Sequence, residues 1–370
     1  MKTPAAPKVP KALKKSYRVA ALPGDGVGVE VYAAAKEVLA VIREQFSVDI
    51  RLDEQLIGGA AVDATGDPLP PATIAACRKA DAILLGAVGG PKWDGNSAAQ
   101  RPEKGLLRVR SEFGLFCNLR PVVTHPALHQ FSPLKAEKLA GVNLLIVREL
   151  TGGIYFGERR RDAESAHDVC SYSRAEIERV TRKACQLALL RDRRVTQVDK
   201  ANVLETSRLW REVVARVVAE EFPTIRLDNM LVDSAAMHLL TRPGDFDVLL
   251  TENLFGDILS DEASMLCGSM GLLPSASLRQ DDFGLYEPVH GSAPDIADKG
   301  IANPYAMFLS VALMLRYSLS CPDVADALEQ SIFHCWESGV LTQDLVKNGC
   351  TTAQVTAAVC ERLAARHQHL

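Results

Sequence analysis

The sequence predicts an α/β fold with a mostly parallel sheet, divided between two interleaved lobes. Short runs rich in β-branched residues alternate with longer amphipathic stretches, which is the pattern of βαβ units. The 370 residues exceed the usual size of a single core. Because no internal repeat or long low-complexity linker separates two halves, we expect the lobes to share the chain rather than to follow one another.

The first βαβ unit begins near the start of the chain. Residues 18–22 are predicted as a buried strand and 23–28 as a glycine turn. A helix follows, because apolar residues recur at helical spacing on one face: Val31, Ala34, Ala35, Val38 and Ile42. The turn lacks the G-x-G-x-x-G spacing of a dinucleotide-binding Rossmann domain. A turn that needs glycine's conformational range is the simpler interpretation.

The pattern continues along the chain. Further strands are predicted at 81–88, 142–150, 195–198, 231–233 and 247–251. Ser173 and Glu176 form a capping box, which predicts a helix running towards Arg191. Polar residues follow or end several strands: Arg148, Asp199, Lys200, Asp233 and Glu252. Ligands of open α/β sheets bind beyond the carboxyl ends of the strands, so we expect the chemistry there.

Composition excludes several functional classes. A net charge of −4 argues against a nucleic-acid binder, and we interpret residues 159–161 (RRR), bracketed by acids, as a solvated loop. Nine cysteines without a C-x-x-C pair suggest neither disulfides nor zinc, so a reducing, cytoplasmic location is expected. Apolar runs are much shorter than the ~20 residues of a membrane span. Residues 1–16 are expected to form a disordered leader.

Two carboxylates form the strongest local signal. Asp257 and Asp261 are spaced i and i+4, so they lie on one face of a helix near its start. Like charges so placed repel, and either a cation lies there or the acids merely favour the helix dipole. Asp233 is a third acid that follows a strand. Oxygen-only ligation would select Mg²⁺ or Mn²⁺ rather than zinc.

Three arginines form a second candidate group. Arg110, Arg120 and Arg148 are expected near strand ends, with Tyr155 and Lys200 beyond them. Guanidinium groups bind carboxylates in bidentate fashion, so the group suits a substrate with more than one carboxylate. Surface salt bridges are the alternative for each arginine taken alone.

From about Tyr17 to about Leu345 the sequence resembles the 3-isopropylmalate dehydrogenase family, within the β-decarboxylating dehydrogenases that include isocitrate and homoisocitrate dehydrogenases. The resemblance is carried by motifs in a fixed order: 22–28 (LPGDGVG), 89–93 (GGPKW), 117–121 (CNLRP), 147–157 (VRELTGGIYFG), 198–203 (VDKANV), 254–261 (LFGDILSD), 290–296 (HGSAPDI) and 300–304 (GIANP). It implies that family's two-lobed fold, with a long mixed sheet flanked by helices.

The resemblance also implies residue roles. Asp233, Asp257 and Asp261 would hold Mg²⁺ or Mn²⁺, which chelates the substrate's hydroxyl and adjacent carboxylate. The substrate is bound by Arg110, Arg120, Arg148 and Asp233. Lys200 would be the base that takes the hydroxyl proton as hydride leaves for NAD⁺, and Tyr155 the acid that protonates the enol after carbon dioxide departs.

One face of a predicted helix would contact the variable part of the substrate. Glu103, Leu106, Leu107 and Arg110 share it, so two leucines would contact the variable substituent. Burying the three carbons of an isopropyl group contributes ~2.4 kcal/mol, about fiftyfold in binding. Isocitrate's extra carboxylate would be disfavoured there. A buried core face is the alternative interpretation of the two leucines.

A second segment resembles the loop that surrounds the adenosine of the cofactor in members of the family. The residues concerned are His290, Gly291, Ser292, Ala293, Pro294, Asp295 and Ile296, with Asn303 expected against the adenine. A carboxylate at Asp295 can accept hydrogen bonds from ribose hydroxyls and would repel the 2′-phosphate of NADP. The resemblance therefore implies NAD.

The resemblance assigns residues 17–115 and 268–370 to a cofactor-binding domain. Residues 116–267 would bind substrate and metal and form the dimer, with an arm at about 152–172. It implies a homodimer in which each site takes Lys200 and Asp233 from the neighbouring subunit, and a role in leucine biosynthesis. A homoisocitrate or tartrate dehydrogenase of the same family and a non-catalytic oligomeric scaffold are the alternatives. No nucleic acid or membrane partner is expected.

Overall fold

The computed structural model describes residues 16–366, which divide into two compact units. The split unit contains the described residues 16–113 and 268–366, and the inserted unit is Gly114–Cys267. The leader predicted for residues 1–16 lies outside the described residues, except for Ser16, which begins the first strand.

Strands and helices alternate through most of the described chain. The strands are β1 Ser16–Gly24, β2 Asp49–Glu54, β3 Ala82–Ala87, β4 Cys117–Val123, β5 Asn143–Glu149, β6 Arg159–Arg161, β7 Ala166–Asp168, β8 Arg194–Asp199, β9 Arg226–Leu231, β10 Val248–Thr251, β11 Pro274–Leu278 and β12 Gly284–Pro288. The helices are α1 Val27–Phe46, α2 Gly58–Thr65, α3 Pro71–Lys79, α4 Pro102–Glu112, α5 Ala136–Leu139, α6 Arg174–Ala188, α7 Glu205–Glu221, α8 Val232–Thr241, α9 Asn253–Ser264, α10 Tyr305–Tyr317, α11 Pro322–Glu337 and α12 Thr352–Arg366.

The split unit has the strand order β2-β1-β3-β12-β11. Its strands are parallel except for the antiparallel pair β11 and β12. Strand β3 is buried along its whole length, as expected of an apolar run in a parallel sheet covered on both faces. Helix α1 buries the face predicted from the apolar spacing, including Val31, Val38 and Ile42.

The inserted unit has the strand order β4-β5-β10-β8-β9. Strands β5, β10, β8 and β9 are parallel, and β4 is antiparallel to β5. The carboxyl ends of β5, β10 and β8 therefore lie at one edge. Strands β6 and β7 form an exposed antiparallel hairpin, so residues 159–161 are solvated as predicted but form a strand rather than a loop.

The glycine turn between β1 and α1 packs closely against the backbone at the end of β3. Gly24 has a φ of 74°, and a Cβ there would lie 1.9 Å from the carbonyl oxygen of Ala87. The carboxylate of Asp25 accepts backbone hydrogen bonds at 2.8 Å from Gly59, Ala60 and Gly89, while burial raises its pKa. Steric demand and loop anchoring explain the turn without a Rossmann motif.

The α/β fold with a mixed sheet flanked by helices is confirmed, and the predicted strands at 18–22, 81–88, 142–150, 195–198 and 247–251 are present. The strand predicted at 231–233 is wrong: β9 ends at Leu231, and Val232 begins α8. A segment as short as Leu231, Val232 and Asp233, with two apolar residues, cannot distinguish the end of a strand from the start of a helix. Helix α6 begins with the predicted capping box but ends at Ala188, before Arg191.

Across residues 16–366, the helices fall short of the length and apolar character that crossing a bilayer demands.

Candidate active site

Two arginines and two acids meet in the inserted unit. Arg120 lies on β4, Arg148 on β5, and Asp257 and Asp261 lie one turn apart on α9. Arg148 Nη1 donates to Asp257 Oδ1 at 2.5 Å. Arg120 donates to Asp257 Oδ1 at 3.4 Å and to Asp261 Oδ1 at 3.3 Å. The structure thus brings four of the predicted site residues into direct contact.

The local fold explains this convergence. Helix α9 starts directly after β10, where the Glu252 carboxylate caps it by accepting from the backbone N–H of Phe255 at 2.6 Å. Gly256 allows the helix to pack closely on β5, because a Cβ there would lie 2.6 Å from Cγ of Arg148. Asp257 therefore faces the guanidinium of Arg148.

Burial and ion pairing have opposite effects on the charged side chains of this cluster. The Arg148 side chain is only 2% exposed, so its charge needs a close partner. Burial raises the pKa of Asp261; Arg120 opposes this rise and the charge of Asp257 adds to it. The Asp261 side chain remains 56% exposed, so its carboxylate can receive a ligand from outside the cluster.

Tyr155 joins the same cluster. Its hydroxyl donates to Asp257 Oδ2 at 2.9 Å, and Cζ of Arg148 lies 5.7 Å from its ring centroid. Burial and, next, the Asp257 carboxylate raise the pKa of Tyr155 above its ordinary value. The phenol is therefore protonated at neutral pH and can donate a proton.

Lys200 and Asp233 form a separate pair at the same edge of the sheet. Lys200 directly follows β8, and Asp233 is the second residue of α8 rather than a strand residue. Lys200 Nζ lies 2.9 Å from Asp233 Oδ1, and this contact lowers the pKa of Asp233. Within residues 16–366 no three acidic, histidine or cysteine side chains cluster as a metal site requires. This chain therefore does not bring Asp233 together with both Asp257 and Asp261.

Three neutral residues that support the arginines were not predicted. Asn118 and Ser260 accept from Arg120 at 2.9 and 2.6 Å, and Asn253 accepts from Arg148 at 2.8 and 3.1 Å. Amide and hydroxyl residues are frequent in any sequence and carry no charge. Only their position beside the predicted acids and arginines could have marked them.

Helix α4 carries the predicted substrate face in the split unit. Its buried positions are Pro102, Gly105 and Val109, whereas Leu106 and Leu107 are half-buried and Glu103 is exposed. The leucines therefore lie beside the core face rather than on it. Arg110 lies on this helix and not near a strand end as expected. Its Nη2 lies 3.1 Å from Glu287 Oε1 on β12, and both side chains are only 11% exposed.

The predicted cofactor loop borders a cavity of about 350 Å³ in the split unit. Four predicted residues line it: His290, Ala293, Ile296 and Asn303. Gly291, Ser292, Pro294 and Asp295 belong to the same loop, but among the described residues they are not part of the wall. Asp295 is exposed, and the carbonyl oxygen of Ser292 accepts from the N–H of Val27 at 2.8 Å.

The cavity also contains polar groups suited to a ligand. Nε2 of His290 is buried without a hydrogen-bond partner among the described residues, and burial lowers the pKa of His290. Asp344, which was not predicted, lines the wall and accepts from Asn303 Nδ2 at 3.0 Å and Ser269 Oγ at 2.5 Å. An isolated acid far along the chain gives no spacing signal.

These groups fit the implied ligands. The exposed carboxylate of Asp261 beside Asp257 offers oxygen donors of the kind that Mg²⁺ and Mn²⁺ prefer. A concave, partly apolar cavity with an unpaired imidazole nitrogen is suited to a nucleoside.

Known proteins that are similar to this chain belong to one family of dehydrogenases. The family described as isocitrate/isopropylmalate dehydrogenase matches residues 18–359. The chain is 54% identical to a 3-isopropylmalate dehydrogenase of Bacillus licheniformis, over 94% of this chain and 96% of the relative. It is also 54% identical to a 3-isopropylmalate dehydrogenase of Pseudoalteromonas translucida, over 95% of this chain and 99% of the relative.

Solved structures extend the similarity to the fold. An isocitrate dehydrogenase of Methylococcus capsulatus superposes with a TM-score of 0.83 at 37% identity, covering 94% of this chain and 99% of that one. A β-decarboxylating dehydrogenase of Thermococcus kodakarensis gives a TM-score of 0.77 at 34% identity, covering 94% and 96%.

Proposed function

Because the chain belongs to the isocitrate/isopropylmalate dehydrogenase family, we propose that it oxidises 3-isopropylmalate with NAD⁺ and decarboxylates the product to 4-methyl-2-oxopentanoate. The observation that carries this proposal is the 54% identity, over nearly the whole chain, to proteins named for that substrate. This reaction is a step of leucine biosynthesis.

The arginine and acid cluster supports the reaction class. Asp257 and Asp261, which lie against Arg120 and Arg148, would hold a divalent cation, and the two arginines would bind the carboxylates of a malate. Arg110 and Asp233 are further substrate residues. The cation, Mg²⁺ or Mn²⁺, supplies positive charge that polarises the oxygen on the second carbon of the substrate.

Two residues move protons in this proposal. Lys200 would take the hydroxyl proton as the hydride leaves the second carbon, and NAD⁺, when bound, would be the acceptor of that hydride. The third carbon then loses its carboxylate as carbon dioxide and keeps the electron pair. Tyr155, whose pKa is raised by burial, donates the proton that this carbon needs.

Helix α4 supports the substrate choice within the family. Leu106 and Leu107 lie beside the buried face of the helix, so they retain apolar surface for a substrate side arm. Glu103 lies on the same stretch of helix. An isopropyl group gains from contact with leucine, whereas a carboxylate would lose its hydration there.

The split unit binds the cofactor in this proposal, through the loop 290–296 and Asn303. The proposed domains are 17–115 with 268–370 for the cofactor and 116–267 for substrate, metal and dimerisation; the compact inserted unit begins two residues earlier, at Gly114. NAD is favoured over NADP because the loop and cavity wall carry the carboxylates of Asp295 and Asp344, which would repel a 2′-phosphate.

The inserted unit supports a homodimer with shared sites. On α8, Asp233 shares a helix face with Met237 and Leu240, which are 65% and 42% exposed. On α9, Asp261 shares a face with Ile258, which is 54% exposed, and Met265, which follows the end of the helix, is 42% exposed. Exposed apolar side chains on two helices indicate an interaction surface, and a second copy is the partner that symmetry favours.

The shared-site arrangement also accounts for the metal ligands. Since no third acid among the described residues completes a metal site with Asp257 and Asp261, Asp233 and Lys200 would come from the neighbouring subunit. The segment at 152–172, which includes the exposed hairpin of β6 and β7, would be the interlocking arm. A cytoplasmic location agrees with nine free cysteines.

A substrate panel tests the proposed function. Turnover of 3-isopropylmalate, isocitrate, homoisocitrate, tartrate and malate is measured with NAD⁺ and with NADP⁺, with the divalent cation omitted and then restored. We expect 3-isopropylmalate with NAD⁺ to give the highest kcat/KM, and only with the cation present. A higher kcat/KM for isocitrate would overturn the substrate assignment, and no turnover of any substrate would favour the scaffold alternative.

A further inference from the structure

Asn253 connects two parts of the candidate site that the proposed chemistry requires. It is the first residue of α9, and its side chain is 1% exposed. The amide oxygen accepts from Arg148 Nε at 3.1 Å and Nη2 at 2.8 Å. The amide nitrogen donates to the carbonyl oxygen of Gly152 at 3.1 Å. One amide thus holds a buried guanidinium and the backbone that leads to Tyr155.

The side chains next to Asn253 are also held by hydrogen bonds. Arg148 is held at Nη1 by Asp257 and at its Nε and Nη2 atoms by Asn253. Gly152 immediately precedes the 3-10 turn Gly153–Tyr155, and the Tyr155 hydroxyl reaches the same Asp257. Asn253, Arg148, Asp257 and Tyr155 therefore form a closed ring of contacts within the inserted unit.

The chemistry of an amide suits this position better than that of a carboxylate. An amide presents an acceptor to the guanidinium and a donor to the carbonyl, so both of its ends are satisfied. It is also neutral, so it orients Arg148 without cancelling the positive charge that a substrate carboxylate needs. A carboxylate would keep the first contact, lose the second and compete with the substrate for Arg148.

We infer that Asn253 is a positioning residue that orients Arg148 and, through Gly152, the Tyr155 turn for the substrate. This inference rests on the proposed function, because it takes Arg148 as a substrate contact and Tyr155 as the acid. Asn253 itself acts only through these neighbours.

The test compares Asn253→Asp, Asn253→Ala and wild type in the full-length, metal-loaded enzyme. For Asn253→Asp we expect the KM for 3-isopropylmalate to rise about tenfold or more, because the new carboxylate keeps its contact with Arg148 and competes with the substrate for that guanidinium. Its thermal unfolding midpoint should fall only modestly, because the ion pair with Arg148 and the helix N-terminus partly offset the lost bond to the Gly152 carbonyl. For Asn253→Ala we expect both a higher KM and a lower kcat.

A matched control is Gln354→Glu on α12. It makes the same change of amide to carboxylate at an exposed position where only the side-chain oxygen is used, by Thr351, so KM and kcat should match wild type. A KM within about twofold of wild type in a folded Asn253 variant would overturn the inference, since losing the Arg148 contact in Asn253→Ala, or adding a competing carboxylate in Asn253→Asp, should exceed that. Loss of folding in both variants would also overturn it, because the role would then be structural. Absence of turnover in wild type would instead overturn the proposed function and, with it, this inference.

Discussion

At the scale of single residues, Asp257 is the most connected acid of the candidate site. Its carboxylate contacts Arg120, Arg148 and the hydroxyl of Tyr155. A carboxylate with two cationic neighbours is already partly neutralised, so a bound cation shares it with two arginines. In the proposed function, this position would link metal binding to the orientation of the arginines that bind the substrate.

We predict that Asp257→Asn raises the Mn²⁺ concentration needed for half-maximal activity by at least about tenfold. The amide keeps the shape of the side chain but loses the negative charge that attracts the ion. Activity is measured against Mn²⁺ concentration at saturating substrate. Asp245→Asn is the control, because within residues 16–366 the carboxylate of Asp245 pairs with Arg242 alone, at an exposed position. Unchanged metal dependence in Asp257→Asn would mean that the two acids are only a feature of the helix.

Leu106 and Leu107 give a second prediction at this scale. The double substitution Leu106→Ser and Leu107→Ser should lower the ratio of kcat/KM for 3-isopropylmalate to that for malate by up to about fiftyfold. Three carbons would no longer be buried against leucine, at ~0.8 kcal/mol each. Leu189→Ser at the exposed end of α6 is the control. An unchanged ratio would show that the leucines do not contact the side arm.

At the scale of elements, the helix starts are encoded by individual side chains. The Ser173 hydroxyl accepts from the N–H of Glu176 at 3.3 Å, and the Glu176 carboxylate accepts from the N–H of Ser173 at 2.7 Å. These reciprocal bonds satisfy two donors that a helix start leaves unpaired. Helix α6 packs against β5, β8 and β10, so its start also fixes one wall of the inserted unit.

We predict that Ser173→Ala lowers the free energy of unfolding by about 1 kcal/mol, because the cap is lost. The measurement is urea unfolding followed by circular dichroism. Ser173→Thr, which retains a capping hydroxyl, should stay close to wild type. Equal losses in the two variants would show that the hydroxyl contributes nothing as a cap.

At the scale of the whole molecule, the predicted ligands and the exposed apolar residues occupy the same helix faces. Asp233 lies with Met237 and Leu240 on α8, and Asp261 with Ile258 on α9. A two-fold symmetric contact through these faces would bring acids of two chains towards each other. Each site would then need residues from both subunits.

Complementation tests this arrangement directly. At a Mn²⁺ concentration just sufficient for wild type, Lys200→Met and Asp257→Asn are each expected to have little activity. After co-refolding of equal amounts, about half of the dimers are mixed, and one of the two sites in each mixed dimer has both native residues. Activity should therefore recover to about a quarter of wild type. If the mixture is no more active than its components, Lys200 and Asp257 serve sites within one chain.

Local sequence patterns were sufficient to predict many of the secondary-structure elements and part of the candidate site. Periodicity predicted α1 and the buried strands, because apolar spacing directly reflects which side of an element is covered. The spacing of Asp257 and Asp261 predicted their common helix face. The motifs supplied the rest of the candidate site, although the resemblance rather than spacing gave those residues their roles.

The tertiary structure decided what depends on contacts between distant segments. It placed Asn253 against Arg148 and Gly152, and Asp344 against Asn303, across 105, 101 and 41 positions of the chain. It also shows that Asp233, which was predicted to lie at a strand, is in the first turn of α8. A side chain's neighbours across the fold are fixed by packing of whole elements, and no local pattern of residues records them.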